Sequence, residues 1–140
     1  MSASRPAAFT VLCIDDNVML IDALERRLNL EPGFEGLYRA DSFAQAADDV
    51  EQAEPSVVLL DLDLPGRVNA LDILADISER VPASKVIVLT GYPHGELVAE
   101  TLGLGAWGFV SKGVSSERVI DAIRRVLKGE AVIALEDSES

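Results

Sequence analysis

The chain has 140 residues, of which 49% are hydrophobic and 26% charged, values typical of a single globular domain that exclude a disordered or fibrous chain. It has 12 basic and 24 acidic residues and a net charge of −12, which argues against a nucleic-acid partner within this chain, because phosphate contacts require clusters of Lys and Arg. No apolar stretch approaches the roughly 20 residues of a membrane helix, and residues 1–9 lack a signal peptide. The single cysteine, Cys13, cannot form an internal disulfide, so we expect a cytoplasmic protein without membrane contact.

Five short runs of apolar and β-branched residues predict β-strands. Three of them are almost entirely apolar, which is typical of parallel strands that are covered on both faces of a sheet. The predicted strands are 9–14, 34–39, 57–60, 85–89 and 108–111.

A segment with helical spacing of apolar residues follows each predicted strand. The second of these begins at Ser42, with Gln45 three residues later, a spacing typical of a capping box, and it ends before Pro55. The last has basic residues near its end and Gly129 as its stop signal. The predicted helices are 19–28, 42–54, 69–80, 96–104 and 116–128. This alternation of strands and helices predicts a parallel α/β sheet with helices on both faces.

Polar side chains stand at the carboxyl ends of four of the predicted strands. Asp15 and Asp16 follow the first strand, Asp61 the third, Thr90 ends the fourth, and Lys112 follows the last. In an open parallel sheet the functional crevice lies outside these ends. We therefore expect the five side chains to share one site.

Three carboxylates in one crevice repel one another, by about 4 kcal/mol for a pair 4 Å apart at an effective dielectric of 20. A hard divalent cation, Mg²⁺ above all, would relieve this repulsion because it prefers oxygen ligands and leaves positions for a phosphate. Lys112 adds a positive charge that can hold a phosphoryl oxygen, and Thr90 adds a hydroxyl donor. Together these groups predict a phosphoryl-transfer site.

Four segments, taken in this order, resemble the receiver domain of bacterial two-component response regulators, a CheY-like family. They are Ile14-Asp15-Asp16-Asn17, 59–66 (LLDLDLPG), Val88-Leu89-Thr90-Gly91 and 105–112 (GAWGFVSK). The resemblance implies a flavodoxin-like, doubly wound (βα)5 fold, a three-layer sandwich with the strand order 2-1-3-4-5. It divides the chain into an N-terminal extension (1–8), a receiver domain (9–130) and an acidic C-terminal tail (131–140).

The end of the predicted domain also resembles a particular group of receivers. Residues 122–130 (AIRRVLKGE) look like the receiver end of the NarL/LuxR-type subfamily, which carries a C-terminal helix-turn-helix. We therefore expect either a stand-alone receiver or the receiver part of a transcription regulator.

The resemblance implies roles for the carboxylates. Asp61 would accept a phosphoryl group from a histidine kinase or a phosphotransfer protein. Asp16 and Asp61 would bind Mg²⁺ directly, the backbone carbonyl of Asp63 would be a third protein ligand, and Asp15 would act through water. The side chain of Asp63 is expected to be exposed and to tune the phosphate lifetime rather than to bind metal.

The resemblance also implies a switch. Lys112 would pair with the phosphoryl group, while Thr90 moves toward it and Phe109 turns inward, although Phe109 is equally well explained as core. The protein would then be a signalling switch and not an enzyme, beyond promoting transfer to and hydrolysis from Asp61. A homodimer through the face of the fourth helix, fifth strand and fifth helix, or through the outer helices, is compatible with the sequence, but no sequence feature specifies it.

Three features depart from the family pattern. The loop 67–70 is one residue longer than usual, Gly113 stands where many receivers have a proline that follows a cis peptide bond, and Tyr92 places a bulky ring near the phosphoryl entrance.

Two other functions fit part of the pattern. In a haloacid-dehalogenase-type phosphatase, Asp61 would be the nucleophile and Asp63 the general acid/base, but that nucleophile usually ends the first strand, and an acidic metal pair should follow Lys112. In a pseudo-receiver, the domain would be an interaction module that works without phosphate.

Overall fold

The computed structural model of the protein describes residues 7–40 and 42–135. In this part of the chain, six strands form one parallel sheet in the order β2-β1-β3-β4-β5-β6. The strands are β1 (Phe9–Ile14), β2 (Phe34–Arg39), β3 (Val57–Asp61), β4 (Lys85–Thr90), β5 (Gly108–Ser111) and β6 (Val132–Ala134). The α-helices are α1 (Val18–Leu28), α2 (Ala46–Ala53), α3 (Ala70–Arg80), α4 (Gly95–Gly103) and α5 (Ser116–Leu127). The predicted flavodoxin-like fold and the order of its first five strands are confirmed.

The sixth strand was not predicted, and it lies in the segment assigned to the acidic tail. Gly129, with φ +90°, ends α5 and turns the chain back toward the sheet. Val132 and Ala134 are then buried while Ile133 between them is exposed, as the period of a strand requires. Ordered structure therefore continues past residue 130, and residues 1–6 and 136–140, the outer parts of the predicted extension and tail, lie outside the described residues.

The core has two halves, one on each face of the sheet. Alternation along β1 sends Val11 and Cys13 toward α1 and α5, and Leu12 and Ile14 toward α2 and α3. The result is the predicted three-layer sandwich, which holds the carboxyl ends of the strands at one rigid edge.

The start of the second helix differs from the prediction. Ser42 precedes a short 3-10 helix, Phe43–Gln45, and makes no side-chain cap hydrogen bond, while α2 begins only at Ala46. Gln45 is therefore the residue before α2 and not its third residue, so the capping-box spacing is lost. The side chains that do cap the other helices, α1, α3, α4 and α5 in order, are Asn17, Asn69, His94 and Ser115.

Gly105, in the turn between α4 and β5, is predicted to tolerate no side chain. Its φ is +109°, and a Cβ built on it would lie 2.5 Å from Ser78 Oγ and 2.7 Å from Ser78 Cβ. We expect Gly105→Ala to lower the free energy of unfolding by about 2 kcal/mol, measured by urea denaturation. Gly103→Ala is the matched control, because nothing lies within 4 Å of that position at the end of α4, and its stability should be unchanged or raised by up to about 1 kcal/mol. An equal effect of the two substitutions would contradict this account.

Candidate functional site

Three carboxylates converge at the carboxyl edge of the sheet. Asp61 ends β3, and Asp15 and Asp16 follow the neighbouring strand β1, whose Ile14 is in register with Leu60. One oxygen from each carboxylate lies within 4.8 Å of the other two, which is a spacing that could hold a metal ion. The side chains of Asp15 and Asp61 are only 3% and 1% exposed, whereas Asp16 faces solvent. The structure thus brings together the carboxylates that the sequence predicts to share a site.

Lys112 supplies the positive charge next to these carboxylates. Its Nζ lies 3.0 Å from Asp61 Oδ1 and 3.7 Å from Asp15 Oδ2. Burial alone would lower the pKa of this ammonium group, but the hydrogen bond to Asp61 and the charges of the acidic residues outweigh it and raise the pKa. Lys112 therefore remains a cation in the site.

Asp15 is held in an environment that disfavours its charge. Burial, together with the negative charge of Asp61, raises the pKa of Asp15 to about 6, although a hydrogen bond from the backbone N–H of Asn17 to Oδ1 and the charge of Lys112 act in the opposite direction. The other oxygen of Asp15, Oδ2, is buried and has no hydrogen-bond partner. A buried carboxylate oxygen that accepts no hydrogen bond, among three carboxylates, fits the donor set of a hard divalent cation such as Mg²⁺.

Asp63 is more closely involved in the site than the sequence indicates. Its N–H donates to Asp61 Oδ1 at 2.8 Å. Its carboxylate accepts from the hydroxyl of Thr90, whose Oγ1 lies 3.1 and 3.2 Å from the two carboxylate oxygens. The same carboxylate accepts from the N–H of Gly91 at 2.8 Å. Thr90 is buried at the end of β4 and its Oγ1 also accepts from the N–H of Tyr92 at 3.0 Å. Asp63 is exposed, as expected, but its side chain is engaged with the predicted switch threonine. The signal for this contact was the pairing of β3 with β4, which places an acid just past one strand beside a hydroxyl at the end of the next.

Phe109 lies apart from the polar groups. It is completely buried in β5, within the half of the core that faces α2 and α3. Because the ring is already inside, the expected inward turn from an exposed position does not apply to this conformation.

The departures from the family pattern have simple structural outcomes. Asn69 in the longer loop caps α3 by accepting from the N–H groups of Leu71 and Asp72. The Lys112–Gly113 peptide bond is trans, as are all others in the described ranges. The Tyr92 side chain is 77% exposed at the mouth of the site.

The geometry does not favour the phosphatase alternative. The acids that approach Asp61 come from the end of β1, before Asp61 in the sequence, and not from a segment after Lys112. Asp61 also ends the third strand of the chain and not the first. None of the helices in the described ranges combines the length and apolar character needed to cross a membrane.

Known proteins are similar to this chain in both sequence and fold. Residues 11–124 match the family described as response regulator receiver domain. The transcriptional regulatory protein DegU of Brevibacillus brevis is 31% identical over 123 residues, which cover 88% of this chain and 52% of that protein. The nitrate/nitrite response regulator protein NarL of Escherichia coli (strain K12) is 30% identical over 134 residues, which cover 96% of this chain and 61% of NarL.

A similar structure has been solved for a two-component response regulator of the LuxR family from Aurantimonas sp. SI85-9A1, with a TM-score of 0.82, 20% identity and 91% of each chain covered. The chain spans only 52% and 61% of the lengths of DegU and NarL, so the similarity concerns one part of those proteins. Since the family match covers most of the chain, this protein belongs to the receiver domain family of two-component response regulators, and its relatives include NarL and DegU.

Proposed function

We propose that this receiver domain is switched by phosphorylation of Asp61, with a histidine kinase or a phosphotransfer protein as the donor. The observation that carries the proposal is the environment of Asp61, a carboxylate 1% exposed that contacts a lysine and lies beside two further carboxylates. Such a group is held in place beside a positive charge and shielded from bulk water. Those are the conditions under which positioning and charge neutralisation promote phosphoryl transfer.

The two oxygens of Asp61 have different tasks in this proposal. Oδ1 accepts from Lys112 Nζ and from the N–H of Asp63, so Oδ2 is assigned as the nucleophile. A bond forms between Oδ2 and phosphorus while the bond from phosphorus to the donor nitrogen breaks, and the donor imidazole leaves with the electron pair. Lys112 then holds a phosphoryl oxygen. Transfer to Asp61 and later hydrolysis are promoted by the same pocket, and no other substrate is turned over.

Mg²⁺ is the proposed cofactor of this step. Asp16 and Asp61 would bind it directly, the backbone carbonyl of Asp63 would be a third ligand, and Asp15 would act through water. The absence of a hydrogen bond to the buried Oδ2 of Asp15 and the close spacing of the three carboxylates support this assignment. When bound, the ion neutralises the charge that accumulates between the carboxylates and the phosphoryl oxygens.

The proposed location, partners and output of the protein rest on its free cysteine and on its relatives. We assign the protein to the cytoplasm, in keeping with the buried free thiol of Cys13, and we propose no nucleic acid or membrane contact for this chain. The related proteins DegU and NarL are named as a transcriptional regulatory protein and a response regulator, so we propose that the switch controls transcription as part of a longer regulator. A homodimer stays a prediction without a supporting contact.

The proposal is tested by labelling with radioactive acetyl phosphate and Mg²⁺. Wild-type protein should acquire base-labile, acid-stable phosphate, and Asp61→Asn should abolish it because the amide is not a nucleophile. Asp63→Asn is the matched control two residues away. It should still take up label, since its backbone carbonyl is unchanged. Label on Asp61→Asn, or repeated turnover of a simple phosphomonoester that depends on Asp63, would overturn the proposal.

A further inference from the structure

The hydroxyl of Thr90 is fully engaged in this structure. Its proton points to the Asp63 carboxylate, whose two oxygens lie 3.1 and 3.2 Å away, and its oxygen accepts from the N–H of Tyr92. The same carboxylate accepts from the N–H of Gly91 at 2.8 Å. Asp63 thus binds two consecutive residues at the end of β4, in addition to the bond from its own N–H to Asp61.

A threonine hydroxyl has one proton to donate. If Thr90 is to donate that proton to a phosphoryl group on Asp61, it must first release the Asp63 carboxylate. A carboxylate is a stronger acceptor than a neutral group, and its hydrogen bonds are roughly twice as strong. The phosphoryl group is an anionic acceptor too, so the loss of this charge-assisted bond is a cost that must be met before Thr90 can turn toward it.

We propose that the Asp63 carboxylate is a latch that holds Thr90 and Gly91 in the unphosphorylated arrangement and so opposes switching. The inference rests on the proposed phosphorylation of Asp61 and adds a positioning role for the side chain of Asp63. A group that binds only one of two states shifts their equilibrium by its full differential binding energy. Removing the latch should therefore make the active arrangement easier to reach.

A first test reports on the latch without any phosphate. In a two-dimensional NMR spectrum of the protein alone, Asp63→Ala should move the amide proton of Gly91 upfield, because its charged acceptor is lost. Glu96→Ala is the matched control, since it removes an equal charge from an exposed position in the first turn of α4. An unchanged Gly91 amide in Asp63→Ala, or an equal shift in Glu96→Ala, would overturn the latch.

A second test measures the affinity for beryllofluoride with Mg²⁺ by titration. Asp63→Ala should bind it roughly 10-fold more tightly than wild type, a factor within the ordinary range of coupling between sites. Asp63→Asn should have a smaller effect, because its amide oxygen can still accept from Thr90.

The charge of Asp63 could also repel beryllofluoride directly, and a double-mutant cycle separates the two causes. In a Thr90→Val background the effect of Asp63→Ala should shrink to less than about 2-fold if the latch is the cause. An effect that persists in full in that background, or equal affinity of wild type and Asp63→Ala, would overturn the latch while leaving Asp61 phosphorylation in place. Failure of wild type and all variants to bind beryllofluoride would instead overturn the proposed function, and the latch with it.

Discussion

Lys112→Met is expected to lower the free energy of unfolding by about 3 kcal/mol at about pH 8 without Mg²⁺, because breaking a buried ion pair leaves uncompensated charge behind. The Lys112 ammonium lies 3.0 Å from Asp61 and 3.7 Å from Asp15, two carboxylates that are almost fully buried. Without it, the two carboxylates face one another in a buried site with no compensating cation. Urea denaturation of the two proteins measures the difference.

Two changes of condition should reduce this loss. At about pH 5, below the pKa of about 6 that burial gives Asp15, this carboxyl is mostly protonated, so the gap in the free energy of unfolding between the variant and wild type should narrow. Millimolar Mg²⁺ should also narrow it, since a divalent ion replaces the missing charge and binds only the folded state. Lys128→Met is the matched control, because Lys128 is exposed at the end of α5, and its effect should stay within about 0.5 kcal/mol. A loss that is the same at both pH values and insensitive to Mg²⁺ would show that Lys112 acts through the packing of its aliphatic stem.

The central strands could be predicted because strands that are buried on both faces appear in the sequence as continuous apolar runs. Val57-Val58-Leu59-Leu60 in β3 has no polar position, and all of these residues are buried. The strand β6 has no such apolar run, because it is three residues long, has one exposed residue and lies at the edge of the sheet. Its pairing with β5 depends on where α5 ends, which the sequence indicated only through Gly129.

The site was predictable as far as it depends on strand ends. Parallel strands place the residues that follow them at one edge of the sheet, so the sequence alone predicts that Asp15, Asp61 and Lys112 lie together. The contact between Asp63 and Thr90 spans 27 residues and depends on the direction of two side chains, which neither spacing nor periodicity specifies. The position of Phe109 inside the core likewise depends on a side-chain direction that the sequence pattern does not specify.

Long-range ion pairs could not be predicted from the sequence either. The carboxylate of Glu31, which is almost completely buried, pairs with Arg27 in α1 and with Arg124 in α5, and Arg27 also pairs with Glu117. These contacts join the first helix to the last. Nothing in the local sequence around Glu31 separates it from the other 23 acidic residues, and most of those in the described ranges are at least partly exposed.

Asp15→Asn is expected to stabilise the protein at about pH 7 to 8 in the absence of Mg²⁺ and to leave its stability nearly unchanged at about pH 4. Burial raises the pKa of Asp15 from 3.8 to about 6, so the folded protein holds this proton more tightly than the unfolded chain does. The resulting contribution to stability is fully present below the unfolded pKa and is lost as the pH rises through about 6. The amide mimics the protonated acid and keeps the contribution at all pH values. Glu100→Gln, an exposed substitution on α4, is the control and should show no such pH dependence.

Mg²⁺ and protons should compete for the same carboxylates, so the effect of Mg²⁺ on thermal stability should depend on pH. In thermal unfolding of wild type, millimolar Mg²⁺ should raise the melting temperature at about pH 7 to 8, and this increment should shrink below about pH 6 as Asp15 becomes protonated. Asp16→Asn should remove most of the increment at every pH, because Asp16 is a proposed direct ligand. The absence of any Mg²⁺ effect on wild type, or an increment that persists unchanged at low pH and in Asp16→Asn, would refute a metal site built from these carboxylates.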